Sequence, residues 1–541
     1  MSNPASGPDG ATLWNHYRMV ATADPDHPAV IDQAGAALSH GELLAAAEAA
    51  ATGLVGLGLE RGDHLGVFLP NRAPWPVLAL AAARSGIGIL GLNTRFRHAE
   101  LDHLLAVADV DRVVVADRFL GVDGPALLGE LERDVLPIVI GDASGDAVPY
   151  ATVATGGDGS AESAPVGRSS DPLIGFTTSG TTGFPKVAMH DQAQTVAHLS
   201  AVIDAVGLGA DTVALVPLPL CGAFGYTTAM ATLLAGGMVV VHETWDPDAA
   251  AAAIRANGVT YLNASDDMIL ALLASPQFEP ETTWRHGGFA DFTNAGTEAL
   301  TAAEVVTGGR TRLTGLYGSS EGFALMSTWH RDDPSEVRGR NGGRLVGSTM
   351  AVRCCDPATG LPVPDGTPGE LQFRGPNLIA GYLANRAATE QAFTDDGWYR
   401  SGDLGIIDPE AGEAAGANPA FVFQARLGDS LRLRGFLCDP AEIEHHLEGH
   451  PAVDLAQVVG VDRPGRGDAA VAFVRLHEDA AAGAGTDDVV AELDDHCRTG
   501  LANYKRPERI VVVDEFPVTD GPNGVKIRKV DLRERAAALL A

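Results

Sequence analysis

The chain has 541 residues, too many for one ordinary domain, so two to four folding units are expected. It carries 38 Lys and Arg against 70 Asp and Glu, a net charge of -32 that suits a well-solvated surface and repels phosphate backbones, which excludes a nucleic-acid partner. A large core is readily supplied by 45% hydrophobic residues, yet no apolar stretch is long and uncharged enough for membrane insertion; Pro76 to Leu92 is broken by Arg84 and by glycines.

The opening MSNPASGPDGATLW lacks a basic segment followed by an apolar one, so no secretory signal is expected. Glu42 to Leu59 repeats small apolar residues at helical spacing, and His64 to Leu69 is a short apolar run stopped by Pro70-Asn71. An Ala/Leu-rich helix is expected over Trp75 to Ser85, then strands at Ile87 to Leu92, Asp111 to Ala116 and Val135 to Ile140. Ala154 to Ser170 has loop composition. A second series of strands and helices runs from Leu173 to about Trp329, with strands at Thr212 to Val216, Met238 to His242 and Val259 to Asn263. Such alternation indicates parallel α/β layers. Ala351 to Tyr382 reads as a small β-barrel or meander, Glu410 to Pro419 as an exposed loop. From about Arg426 short strands, a helix at Pro440 to Glu448 and a last helix after Val530 make a small α+β domain.

The cysteines Cys221, Cys354, Cys355, Cys438 and Cys497 form no CxxC pair, and the 16 histidines no HExxH. Reduced thiols of a cytoplasmic protein are expected.

The strongest chemical signal is Phe176-Thr-Thr-Ser-Gly-Thr-Thr-Gly-Phe-Pro-Lys186. Gly180 and Gly183 permit tight backbone geometry; Ser179, Thr181 and Thr182 add hydroxyls and Lys186 a cation, as a loop around β- and γ-phosphates requires. It is not a Walker A loop, because Phe184-Pro185 precedes the lysine and Val187 follows it.

Thr178 to Lys186 closely resembles the phosphate loop of the acyl-CoA synthetase, adenylation-domain and luciferase (AMP-binding, acyl-adenylate-forming) superfamily, and the resemblance continues in order. Pro70-Asn71 with Trp75, and Leu92 to Arg97 with Glu100-Leu101, resemble its N-terminal subdomain. Tyr317-Gly318-Ser-Ser320-Glu321 resembles its YGxTE element; Gly369-Glu-Leu, Gly381-Tyr382 and Trp398 to Asp403 match later elements. Arg426 to Glu444 resembles the hinge and first C-terminal strands, and Asn523-Gly-Val-Lys526 the terminal lysine segment.

The resemblance implies a large N-terminal domain (1–427) of two βα subdomains and a small β-barrel, followed by a small mobile α+β domain (428–541). It implies ATP, Mg²⁺ and coenzyme A as cofactors. Lys186, Glu321, Arg426 and Lys526 would be catalytic. Thr178, Ser179, Gly180, Thr181, Thr182, Gly183, Gly296, Tyr317, Gly318, Ser320 and Asp403 would bind nucleotide, with Arg432 and Gly435 on the thiol side. Glu321 and Thr178 would serve the metal. Charge logic supports this set: joining a carboxylate to AMP sets anion against anion, so the site must screen charge. Glu321 suits Mg²⁺, Asp403 suits a ribose diol, and Lys526 would stabilise the pentacovalent phosphorus. Gly428, two residues past Arg426, would permit a domain swing.

Four departures from the pattern concern the acid and its acceptor. Pro217 to Gly225 lacks the gating His, with Leu220 or Cys221 in its place. Asn263 to Met268 replaces a PT-type turn; Asp266 and Asp267 read as the solvated first turn of a helix capped by Ser265, or as groups facing a polar substrate. Leu437 stands where aryl-CoA ligases often have Gln, and Asn523 to Lys526 replaces the commoner SGK spacing. The reading is an AMP-forming acid–thiol ligase whose partners are a small-molecule acid, ATP and CoA, with room for a homodimer. Two alternatives stay open. One is an adenylating enzyme with a carrier-protein thiol or an amine as acceptor, including nitrite activation for diazotisation; the other is a non-catalytic nucleotide-binding regulator.

Overall fold

Two largely parallel sheets follow from the alternating pattern of strands and helices. The computed structural model describes residues 12–156, 165–178, 185–292, 295–408, 419–427, 431–433, 436–438, 440–463, 467–477, 486–501, 505–521 and 524–540. The chain divides into two units. The first takes in the chain up to Ala351 together with Arg374–Tyr399; the second takes in Val352–Phe373, the strand residues from Arg400 and the chain from Phe421 onward. The architecture is the expected two-domain α/β one, with a small, separately folded α+β C-terminal domain.

The first sheet of unit one runs in the order Lys186–Asp191, Pro172–Thr178, Gly88–Gly91, His64–Phe68, Arg112–Ala116, Leu136–Ile140, Val148–Pro149. It is parallel except for the hairpin of its first two strands. The second has a parallel centre, Pro28–Asp32, Met238–Val241, Val213–Val216, Tyr261–Leu262, His286–Ala290 and Arg312–Ser319, continued antiparallel by Phe323–Thr328 and Gly342–Leu345. Helix Pro74–Ser85 opens with proline at its start and ends at Gly86 with φ 71°, a left-handed position that suits glycine. Ten of its residues are buried, so it has no solvent stripe and serves as an interior strut. Helix Ala223–Leu234 is buried from Phe224 onward in the same way.

Two amides stitch these layers. Asn71 Nδ2 donates to the carbonyls of Val216 (3.3 Å) and Leu218 (2.9 Å), while its Oδ1 accepts the Leu220 N–H at 2.8 Å. Gln192 joins Leu13 N (3.2 Å) to Ala83 O (2.9 Å). Both are buried, and each uses both its oxygen and its nitrogen in hydrogen bonds, as buried amides ordinarily do.

In unit two, Ala420–Arg426, Tyr399–Ile407, Gly369–Arg374 and Ala351–Cys355 lie side by side in that order; the last two fall in the segment Ala351 to Tyr382 expected to be β-rich, and the first two lie beyond it. The C-terminal part is built on Val453–Arg463, Gly467–Leu476 and Arg509–Val512. Period-two alternation sends Ala470, Ala472 and Val474 to one face against helices Pro440–Glu448 and Thr486–Gly500. Val471 and Phe473 go to the other, against Phe516, Leu532 and Ala536. Glu444, 1% exposed, accepts the Val458 N–H at 2.8 Å and pairs with Lys529 Nζ at 3.0 Å, so this buried carboxylate is neutralised. Cys221, Cys354, Cys355 and Cys497 are buried and form no disulfide among the described residues. Among the described residues, no helix is long and apolar enough to cross a membrane.

Candidate active site

Thr178 and Lys186 are paired residues of adjacent antiparallel strands, at the carboxyl end of Pro172–Thr178. Ser179, Gly180, Thr181, Thr182 and Gly183 lie outside the described residues. Thr178 Oγ1 is buried and has no hydrogen-bond partner among the described residues. Lys186 Nζ stands 4.2 Å from the centre of the Tyr382 ring. The Tyr382 hydroxyl donates to Glu321 Oε1 at 2.7 Å, and Glu321 is buried. The cation at the loop's base and the carboxylate of the YGSSE element are thus joined through one tyrosine.

Glu321 owes its place to a tight turn between Arg312–Ser319 and Phe323–Thr328, with Ser319 paired to Phe323. Gly318 is obligatory there: an added Cβ would lie 2.5 Å from Ala324 Cα and 2.6 Å from Phe323 O. Beyond the turn Phe323 (φ 67°) and Leu325 (φ 59°) sit in the left-handed region, a strained choice for bulky residues that the surroundings must enforce. Two histidines enforce it. His190 Nε2 donates to Ser320 O at 2.8 Å and His198 Nε2 to Ala324 O at 2.7 Å, and both rings pack on Phe323 at 3.9 and 4.8 Å. Burial pushes His190 down to about 3 and His198 to about 4, so both are neutral donors. Sequence reading missed them. The available signal was two histidines at His190 and His198, closely following the phosphate-loop strand.

Tyr317 is buried at the end of its strand, and Ser320 lies within the turn. Gly296 begins helix Gly296–Val306, and its missing Cβ is needed because Phe289 Cε2 would lie 2.3 Å away. The solvated helix start expected at Asp266 is corrected here. Asp266 is fully buried and accepts N–H groups from Phe292 (3.1 Å) and Ala295 (3.0 Å), just ahead of Gly296. Ser265 occupies the cap position but makes no cap bond; its hydroxyl turns to Asp267. Asp291 accepts Gly296 N–H (3.2 Å) and Asn341 Nδ2 (3.0 Å) and hydrogen-bonds Asp266; burial, then Asp266, raises its carboxyl to about 6. At the gate, Leu220 and Cys221 are both buried. Burial pushes the Cys221 thiol up to about 12, so neither residue supplies a charge in place of the absent His.

In unit two, Asp403 is 2% exposed and its Oδ1 lies 2.8 Å from Arg426 Nη1, on paired positions of adjacent strands. Ser401 holds the Asp403 N–H (3.0 Å) and donates to Leu371 O (2.6 Å), fixing the carboxylate's backbone. Lys526 lies on hairpin strand Gly524–Ile527 opposite Thr519, and Arg432 on Leu431–Leu433 opposite Leu437. Gly435, the hinge Gly428 and the insertion around Glu410 to Pro419 fall, wholly or mostly, outside the described residues.

Among the described residues no cluster of three or more His, Cys, Asp or Glu could cage a metal. The buried Glu321 carboxylate and the buried, unpartnered Thr178 hydroxyl are hard oxygen donors of the kind Mg²⁺ takes, which uses one or two carboxylates and otherwise phosphate and water oxygens.

Comparison with known proteins bears on the whole chain. The profile of AMP-binding enzymes matches residues 17–383, and that of the AMP-binding enzyme C-terminal domain matches residues 442–520. The salicyl-AMP ligase / salicyl-S-ArCP synthetase of Mycobacterium tuberculosis is 31% identical over 97% of this chain and 90% of its own length. The sulfoacetate–CoA ligase of Cupriavidus necator is 30% identical over 95% of both chains. The crystal structure of ATP-bound MatB from Rhodopseudomonas palustris, 27% identical, covers 98% of this chain and 100% of its own with a TM-score of 0.81. With both family profiles matched in order and relatives of this identity aligned end to end, the chain belongs to the AMP-binding, adenylate-forming enzyme family.

Proposed function

We propose that the chain activates a carboxylic acid with ATP and passes the acyl group to coenzyme A. The observation that carries this is the Lys186–Tyr382–Glu321 chain at the base of the phosphate loop, which sets a fixed cation and a fixed carboxylate where a triphosphate would lie. A carboxylate oxygen of the acid attacks the α-phosphorus, the bond to the β-phosphate breaks, and pyrophosphate leaves with its electron pair. The thiol sulfur then attacks the acyl carbon, AMP departs, and the thiol proton is released to solvent.

In this reading Lys186 and the hydroxyls of Thr178 to Thr182 hold the β- and γ-phosphates. Glu321 and Thr178 would hold Mg²⁺, which would supply charge screening between the two anions. Tyr317 and Gly296 flank the adenine, Asp403 accepts the ribose hydroxyls, and Arg426 orients Asp403. Lys526 is assigned to the transition-state oxygens, and residues 428–541 to a mobile domain whose Arg432 and Gly435 face the thiol.

A second reading keeps adenylation and changes the acceptor to a carrier-protein thiol, favoured by the salicyl-S-ArCP synthetase among the relatives. The amine and diazotisation variant keeps the altered gate and Asp267 but loses the support of Asp266, whose oxygens accept the N–H groups of Phe292 and Ala295. Incubation with ATP and a panel of acids, with and without CoA, separates these readings when pyrophosphate and thioester are followed independently. Pyrophosphate without thioester moves the assignment to the carrier thiol; no pyrophosphate with any acid overturns both.

A further inference from the structure

The segment Asn377 to Leu383 is a strap between two parts of the phosphate site. At one end Asn377 Nδ2 donates to Gly322 O (2.7 Å) and Ile379 N to Glu321 O (2.9 Å). At the other, Leu383 N donates to Val187 O (2.9 Å), and Tyr382 bridges to Ala188. Gln194 Nε2 pins its middle at Leu378 O (2.8 Å). The backbone next to Glu321 is therefore tied to the backbone next to Lys186.

Tyr382 repeats this link with its side chain. Its hydroxyl fixes Glu321 Oε1, leaving Oε2 without a partner among the described residues, while its ring lies under the Lys186 ammonium. The ring is itself immobilised, 8% exposed among Ala188, Ile379 and Phe393. Groups that hydrogen-bond a metal-binding carboxylate set its orientation and basicity.

We propose that Tyr382 is a positioning residue that sets the geometry of Glu321 toward Mg²⁺ and of Lys186 toward phosphate, making metal and nucleotide binding interdependent. The proposal rests on the phosphate-site reading above. The two halves of the side chain divide the work: the hydroxyl serves the carboxylate and the ring serves the cation.

Tyr382→Phe removes only the hydroxyl. ATP binding is measured by calorimetry in the absence of acid, so no turnover occurs, first without metal and then across a Mg²⁺ titration. In Tyr382→Phe the Mg²⁺ concentration for half-maximal enhancement should rise at least about 10-fold, with metal-free ATP affinity within about twofold of wild type because the ring is kept. Tyr382→Leu should lose metal-free affinity as well; thermal melts confirm that each variant is folded, and Tyr382→Phe carries the test alone if Tyr382→Leu is not. A Mg²⁺ midpoint in Tyr382→Phe equal to wild type overturns the proposal while leaving the phosphate site standing. Wild type whose ATP affinity ignores Mg²⁺ overturns the metal assignment and the proposal with it.

Discussion

Replacing Asp291 by Asn isolates one buried proton just ahead of Gly296. Asp291 is bonded to Asp266, Gly296 N–H and Asn341 Nδ2, and burial with the neighbouring Asp266 raises its carboxyl from 3.8 to about 6. The native state therefore keeps a proton that the unfolded chain has already given up. Its stabilising contribution is complete below about pH 4 and is lost as pH rises through about 6. That interval corresponds to about 3 kcal/mol. Asparagine retains a carbonyl for Gly296 N–H, loses the acceptor for Asn341 Nδ2 at every pH alike, and cannot ionise. The stability of Asp291→Asn relative to wild type should thus improve by about 3 kcal/mol between about pH 4 and pH 7. Urea unfolding followed by tryptophan fluorescence at successive pH values measures it, and the pH responses of groups remote from the Asp266–Asp291 pair cancel in the difference. A difference that stays flat over this interval would refute the shared-proton account of Asp266 and Asp291.

His198→Phe keeps ring packing on Phe323 but leaves the Ala324 carbonyl unpaired, costing about 1–3 kcal/mol, visible as a lowered thermal midpoint; an unchanged midpoint contradicts the pinning role. Gly318→Ala forces a methyl against the Ala324 backbone, so ATP affinity should fall at least about 10-fold, or soluble protein should be lost; wild-type binding would show that the turn can yield. Lys526→Ala should slow pyrophosphate release by about two orders of magnitude or more while leaving ATP affinity nearly intact; unchanged adenylation overturns its assignment.

The parallel layers were legible because their strands are continuous apolar runs separated by helices of small residues, and boundaries at Pro74–Ser85 and Pro440–Glu448 fall within a residue of expectation. The positions of Thr178, Lys186, Glu321 and Asp403 were legible because each lies in a motif of distinctive residue types. Their supports were not. His190, His198 and Tyr382 act on residues 61 to 130 positions away, through contacts that local patterning does not encode. Asp266 misled for a related reason. Acids in a first helical turn ordinarily face water, but here tertiary burial turned one against the N–H groups of Phe292 and Ala295.

The degree to which buried polar groups are satisfied separates scaffold from ligand site within unit one. Asn263, which opens one of the segments that depart from the family pattern, gives both amide protons to Thr228 and Tyr261 and accepts the Gly288 N–H at 2.6 Å. With its donors and acceptor engaged, it has little left for a substrate and holds strand to helix. Thr178 Oγ1 is the opposite case: buried, without a partner among the described residues, and adjacent to the loop that a triphosphate would fill. An unpaired buried hydroxyl costs about 1–3 kcal/mol, which a phosphate oxygen or a metal-bound water would offset. Asn263 therefore reads as architecture despite its departure from the family pattern. Thr178, which conforms to that pattern, is where binding has something to gain.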